Sequence, residues 1–112
     1  MSRAVVFAYH DVGVRCLSVL LARGVDVPIL VTHEDDPNEK IWFGSVATTA
    51  RHHDVPVLTP DTAKDPELAS RIAALAPDFI FSFYYRRMIP ESVLRLAACS
   101  ALNMHGSLLP RY

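Results

Sequence analysis

Short apolar runs alternate along the whole chain with segments in which apolar residues recur at helical spacing. Runs of four to eight apolar residues between polar loops are typical of strands buried on both faces, and spacings of three and four indicate amphipathic helices. The predicted strands are 3–9, 25–32, 55–58, 79–83 and 101–105. The predicted helices lie near 14–21, 43–53, 66–75 and 90–94.

This alternation predicts an α/β domain with a Rossmann-like parallel sheet, in which the first strand is central and the strand order reverses between the first and fourth strands. Ligands of such sheets bind at the carboxyl ends of the strands, near the reversal. Three polar segments follow predicted strands there, at 10–13, 84–88 and 103–107. We therefore expect a site at this edge.

The last predicted strand alternates polar and apolar residues. Asn103 and His105 would share one face, while Leu102 and Met104 would be buried on the other. An amide can stabilise an oxyanion and an imidazole can move a proton near neutral pH, so the pair suits carbonyl chemistry. By spacing alone, however, two polar residues on a wetter face are the more usual explanation of the pattern.

The longer string Asn-x-His-x-Ser-Leu-Leu-Pro-x-Tyr over 103–112 resembles the signature of the folate-dependent formyltransferases. The resemblance implies the formyltransferase fold and formyl transfer from 10-formyltetrahydrofolate to an amine. It implies that Asn103 stabilises the tetrahedral oxyanion and that His105 acts as a general acid toward the leaving folate nitrogen. Ser107 more simply satisfies backbone groups of the following loop.

A second matching segment, Arg87-Met88-Ile89, follows the fourth predicted strand. In the family this loop holds the pterin-like end of the folate with its backbone groups, so the resemblance implies that these three residues bind the formyl donor. The nearby aromatic and basic residues are also consistent with a surface loop, or with single-stranded nucleic acid.

The segment Ala-Tyr-His-Asp-x-Gly over 8–13 does not form a GxGxxG dinucleotide motif. It resembles the branch of the family that formylates UDP-4-amino-4-deoxy-L-arabinose in lipid A modification and polymyxin resistance. That resemblance implies substrate binding by His10, Asp11 and Gly13, at a helix N-terminus that can attract anions. A loop-structuring role is the alternative. Another nucleotide-linked amino sugar, or methionyl-tRNA, is the runner-up acceptor.

Composition narrows the class of protein further. The chain has 112 residues, 51% of them hydrophobic, with a net charge of −1 and a pI near 6.5. These values favour one globular domain and disfavour nucleic acid as a partner. Cys16 and Cys99 form no metal or disulfide pattern, and we expect both to be buried thiols of a reduced cytoplasmic protein. We expect no metal site and no membrane segment.

The resemblance also bears on domain organisation. Residues 1–112 are expected to be the N-terminal part of a formyltransferase catalytic domain, truncated after the fifth strand, because the family's catalytic aspartate aligns beyond Tyr112. On this hypothesis residues 1–112 alone are inactive, and homo-oligomerisation through regions outside them stays open. A non-catalytic module that binds folate or nucleotide is the alternative of another class.

Overall fold

Five parallel strands form one sheet in the order β3-β2-β1-β4-β5. The computed structural model describes residues 2–33, 46–60, 62–85 and 87–104, and for His10, Asp11 and Met104 it describes the backbone only. The strands are β1 Ala4–Ala8, β2 Leu30–Val31, β3 Val57–Leu58, β4 Phe79–Phe83 and β5 Ser100–Met104. The described helices are α1 His10–Ala22, α2 Val46–His52, α3 Pro66–Leu75 and α4 Glu91–Leu94.

Strand β1 is the centre of the sheet, and all five of its residues are buried. Val6 and Ala8 face a core shared with α1 and α2, whereas Val5 and Phe7 face a core shared with α3 and α4. A strand covered on both faces needs apolar residues at every position, which explains its unbroken apolar run. The predicted α/β class, central first strand and reversal between β1 and β4 are confirmed.

Helix α3 begins where its sequence signals predicted. The Asp65 side chain accepts a hydrogen bond of 2.9 Å from the backbone N–H of Glu67, and Pro66 occupies the first turn. Proline suits this position because its missing N–H would have no partner inside the helix. Leu68 and Ile72 then place a buried stripe against the sheet.

Helix α1 starts earlier than the sequence predicted. Residues 10–13 were expected to form a loop, but they are the first turn of the helix, which begins directly after β1. The N-cap residue Tyr9 makes no side-chain capping bond, so the usual sequence signal of a helix start is missing. The helix ends at Ala22, and Gly24 follows with a φ of +78° and an N–H that bonds to the carbonyl of Leu21.

Gly13 lies where α1 packs closely against the sheet. A Cβ added there would lie 3.2 Å from the Cβ of Ala8, 3.2 Å from Cγ2 of Val46 and 3.4 Å from the carbonyl oxygen of Phe83. Three elements therefore limit the space at this position. The absence of a side chain at Gly13 allows these elements to pack this closely.

We expect Gly13→Ala to destabilise the fold by about 1 kcal/mol, because overpacking outweighs the better helix propensity of alanine. Urea unfolding followed by circular dichroism would measure the change. In a double-mutant cycle, Val46→Ala should relieve part of the loss by removing one of the crowded methyl groups. A Gly13→Ala variant as stable as the parent would contradict this packing role.

Strand β5 lies at the edge of the described sheet, and its environment corrects two expectations. Leu102 was expected to be buried, but it is 49% exposed, since β5 has a neighbouring strand on only one side within the described residues. Cys99, just before the strand, is exposed rather than buried. Cys16 on α1 is half-buried, and this burial raises the pKa of its thiol.

Candidate functional site

The carboxyl ends of β1, β4 and β5 lie side by side at one edge of the sheet. The N–H of Tyr9 bonds to the carbonyl of Phe83 at 3.0 Å, which extends the contact between β1 and β4 past the strand ends. Asn103 on β5 is directly opposite Ser82 on β4. Because the sheet is parallel, polar residues distant in sequence meet at this edge.

A cavity of about 460 Å³ opens at this edge, between the last two strands and the segment that follows β4. Its size falls within the range of small-molecule sites. The lining combines apolar walls with a few hydrogen-bonding groups, and consists of Ser82, Tyr85, Arg87, Met88, Ile89, Leu94 and Asn103. This lining suits a flat heterocycle with several donors and acceptors.

Asn103 contributes the carboxamide of the cavity wall. Asn103 is exposed, and it shares a face of β5 with Ala101, which packs against the core beneath. The amide is thus supported by the sheet but open to a ligand. His105 and Ser107, the other polar residues of the string, lie outside the described residues.

The predicted donor-binding segment forms the opposite wall of the same cavity. Ile89 packs against the core, while Met88 is 86% exposed and Arg87 is exposed. A thioether as open as that of Met88 can pack against a ligand without displacing any protein contact. The structure therefore brings Arg87, Met88 and Ile89 together with Asn103.

Tyr85 anchors the start of this segment through its ring. The ring stacks on the imidazole of His33 with centroids 4.3 Å apart, and meets the ring of Phe7 edge-on at 5.2 Å. The preceding residue, Tyr84, has a φ of +61°, a left-handed conformation that non-glycine residues adopt rarely. The chain thus turns sharply as it leaves β4 and is then fixed by aromatic contacts.

The hydroxyl of Tyr85 is buried beside the Arg87 guanidinium. Burial raises the pKa of Tyr85, while the charge of Arg87 and a hydrogen bond with its side chain oppose that rise. Tyr85 and Arg87, two residues that line the cavity, therefore interact with each other.

Three lining residues were not predicted as site residues. Ser82 shares a face of β4 with Ile80 and is opposite Asn103, so the alternation of β4 could have identified it once the register was known. Tyr85 and Leu94 line the cavity because of the path that the chain takes after β4. His33 follows β2 and is half-buried against Tyr85.

The remaining predicted residues, His10, Asp11 and Gly13, lie in the first turn of α1. This turn is next to the end of β4, since a Cβ added at Gly13 would lie 3.4 Å from the carbonyl oxygen of Phe83. Gly13 is accounted for by close packing. The side chains of His10 and Asp11 are outside the described part of the chain.

Within the described residues, no cluster of three or more histidine, cysteine or acidic residues could hold a metal ion. None of the helices described is long and apolar enough to cross a membrane.

A doubly wound parallel sheet with a cavity at the carboxyl ends of β4 and β5 defines an α/β domain of the Rossmann-like type. The chain belongs to the formyl transferase family, whose model matches residues 12–112. Its fold is similar to that of glycinamide ribonucleotide transformylase 1 from Symbiobacterium toebii, with a TM-score of 0.68 and 24% identity over 98% of this chain. The match covers 54% of that protein, so this chain spans about half its length.

Proposed function

We propose that the protein transfers a formyl group from 10-formyltetrahydrofolate to the 4-amino group of UDP-4-amino-4-deoxy-L-arabinose. The observation that carries the formyl-transfer part is that the Asn103 carboxamide and the Arg87-Met88-Ile89 segment line one cavity. The cavity has the volume and the mixed lining that a pterin-like ring needs. A reacting formyl group would then lie near the carboxamide.

In this mechanism the Asn103 amide donates a hydrogen bond to the formyl oxygen as negative charge develops on it. Such donors act because they are already oriented when the charge forms. His105 gives a proton to the folate nitrogen as the bond between that nitrogen and the formyl carbon breaks. The attacking amine forms the new bond to the same carbon and loses a proton. The bound donor supplies the activated one-carbon group.

The proposed acceptor is supported by the sequence of the first turn of α1. His10, Asp11 and Gly13 match the arabinose branch of the family, and this turn lies at the same sheet edge as the cavity. We propose that the turn contacts the nucleotide sugar there. Lipid A modification, polymyxin resistance and a cytoplasmic location would follow from this acceptor, and oligomerisation would involve regions outside the described residues.

A panel of acceptors tests the proposal. The purified protein would be given 10-formyltetrahydrofolate with the UDP-arabinose amine, other UDP- and dTDP-linked amino sugars, glycinamide ribonucleotide or methionyl-tRNA. We expect kcat/KM to be at least about tenfold higher for the UDP-arabinose amine than for any other acceptor. Mass spectrometry would identify the formylated product.

Other outcomes have distinct meanings. Preference for another amino sugar, for glycinamide ribonucleotide or for methionyl-tRNA would reject the acceptor and keep the reaction class. Folate binding without turnover on any amine would reject catalysis and favour a non-catalytic binding module.

A further inference from the structure

One hydrogen bond joins the segment after β4 to the segment after β3. Nη1 of Arg87 donates to the carbonyl oxygen of Pro60 at 2.9 Å, across 27 positions of sequence. Both ends of this bond lie at the carboxyl edge of the sheet, because Pro60 follows β3 and Arg87 follows β4. The Arg87 side chain therefore spans the sheet edge from one segment to the other.

The segment that carries Arg87, residues 87–90, has little other support near its middle. Residues 87–90 belong to no helix or strand, and Met88 is 86% exposed. Tyr85 is held by ring contacts at one end and Ile89 by core packing at the other. The guanidinium therefore holds the segment between Tyr85 and Ile89 to the carbonyl of Pro60. It does so next to the backbone that forms the cavity wall.

We infer that Arg87 is a positioning residue: its side chain straps the donor-binding segment to the segment after β3 and holds the backbone of Met88 and Ile89 ready for the ligand. This inference rests on the proposed function, since it assigns the strapped backbone to folate binding. A segment that is already ordered loses less conformational entropy on binding. The strap would therefore improve affinity for the donor while leaving the chemistry of Asn103 largely untouched.

The variant Arg87→Met keeps the length and apolar stem of the side chain but removes all its donors. We expect it to raise both the Kd of folate and the KM of the formyl donor about 3- to 12-fold, the range for one hydrogen bond, and to lower kcat less than about twofold. Arg87→Lys keeps one donor in reach of Pro60 and should recover part of the affinity. Arg95→Met is the matched control, since Arg95 is an exposed arginine directly after α4 whose guanidinium bonds to the Glu91 carboxylate one turn earlier.

Hydrogen exchange on the ligand-free protein tests the strap without any folate. The amides of Met88 and Ile89 should exchange faster in Arg87→Met than in the parent protein or in Arg95→Met. Unchanged exchange at these two amides would overturn the strap even if the protein binds folate. Conversely, faster exchange in a protein with no affinity for folate would keep the strap and reject the proposed ligand.

A comparison of folic acid with pteroic acid separates positioning from direct contact with the glutamate tail. Pteroic acid lacks the glutamate tail, so it offers no glutamate carboxylates to a guanidinium. A strap weakens binding of both compounds by the same factor when it is removed. A loss seen with folic acid alone would overturn the positioning role and assign Arg87 to the ligand itself.

Discussion

Replacing Asn103 by alanine is expected to lower kcat for formyl transfer by about 10²- to 10³-fold. This is the usual effect of removing one oxyanion donor. Asn103 holds its amide on the cavity face of β5, opposite Ser82 and across from the donor-binding segment. Because the amide interacts most strongly with charge that forms during the reaction, the Kd of folate should change far less than kcat. Steady-state kinetics with isothermal titration of folate would separate the two quantities.

Two comparisons make the Asn103 result specific. Asn103 is exposed, so its truncation should change the free energy of unfolding by less than about 0.5 kcal/mol. Leu102, the adjacent residue on the opposite face of β5, is 49% exposed, and Leu102→Ala should retain nearly full kcat. A parental kcat in Asn103→Ala, or an equal loss in Leu102→Ala, would remove the oxyanion role.

The centre of the fold was predictable because its signals are local. The apolar run 4–8 is continuous since β1 is covered on both faces, and α3 carries its own N-cap in Asp65. The start of α1 was missed because Tyr9 provides no side-chain cap. The burial of Leu102 was overestimated for a different reason. Alternation shows which residues share a face, but not whether another element covers that face.

The site was predictable to the extent that topology determines it. A parallel sheet brings its carboxyl ends together, so Asn103 and the segment 87–89 could be expected to meet before any distance was known. The stack of His33 on Tyr85 could not be foreseen, because it joins segments that follow β2 and β4 and has no periodic pattern. The bond from Arg87 to Pro60 depends on the same tertiary proximity.

Gly13 shows how one residue can satisfy two interpretations. Its place in a segment that resembles a substrate-binding motif suggested contact with the acceptor. The structure supplies a packing reason as well, since α1 approaches β1 and β4 closely at this point. Loss of activity in a Gly13 variant would therefore need a parallel measurement of unfolding before it could be assigned to substrate binding.

Replacing His105 by alanine is expected to lower kcat by about 10²- to 10⁴-fold, the range for loss of a group that transfers a proton. His105 lies outside the described residues, and its role is part of the proposed function. An imidazole can give a proton to the leaving nitrogen, whereas a methyl group cannot. Added imidazole should therefore restore part of the rate in His105→Ala, and folate affinity should stay within a few-fold of the parent.

The control for this prediction is His53→Ala, because His53 is an exposed histidine just after α2 whose imidazole bonds to the carbonyl of Thr49. It should retain the parental kcat and show no response to imidazole. Imidazole rescue distinguishes proton transfer from a structural role, since a misfolded variant would not regain activity with a small proton donor. A His105→Ala enzyme that loses folate binding along with its rate, and that imidazole does not rescue, would show that this histidine supports the site instead of moving a proton.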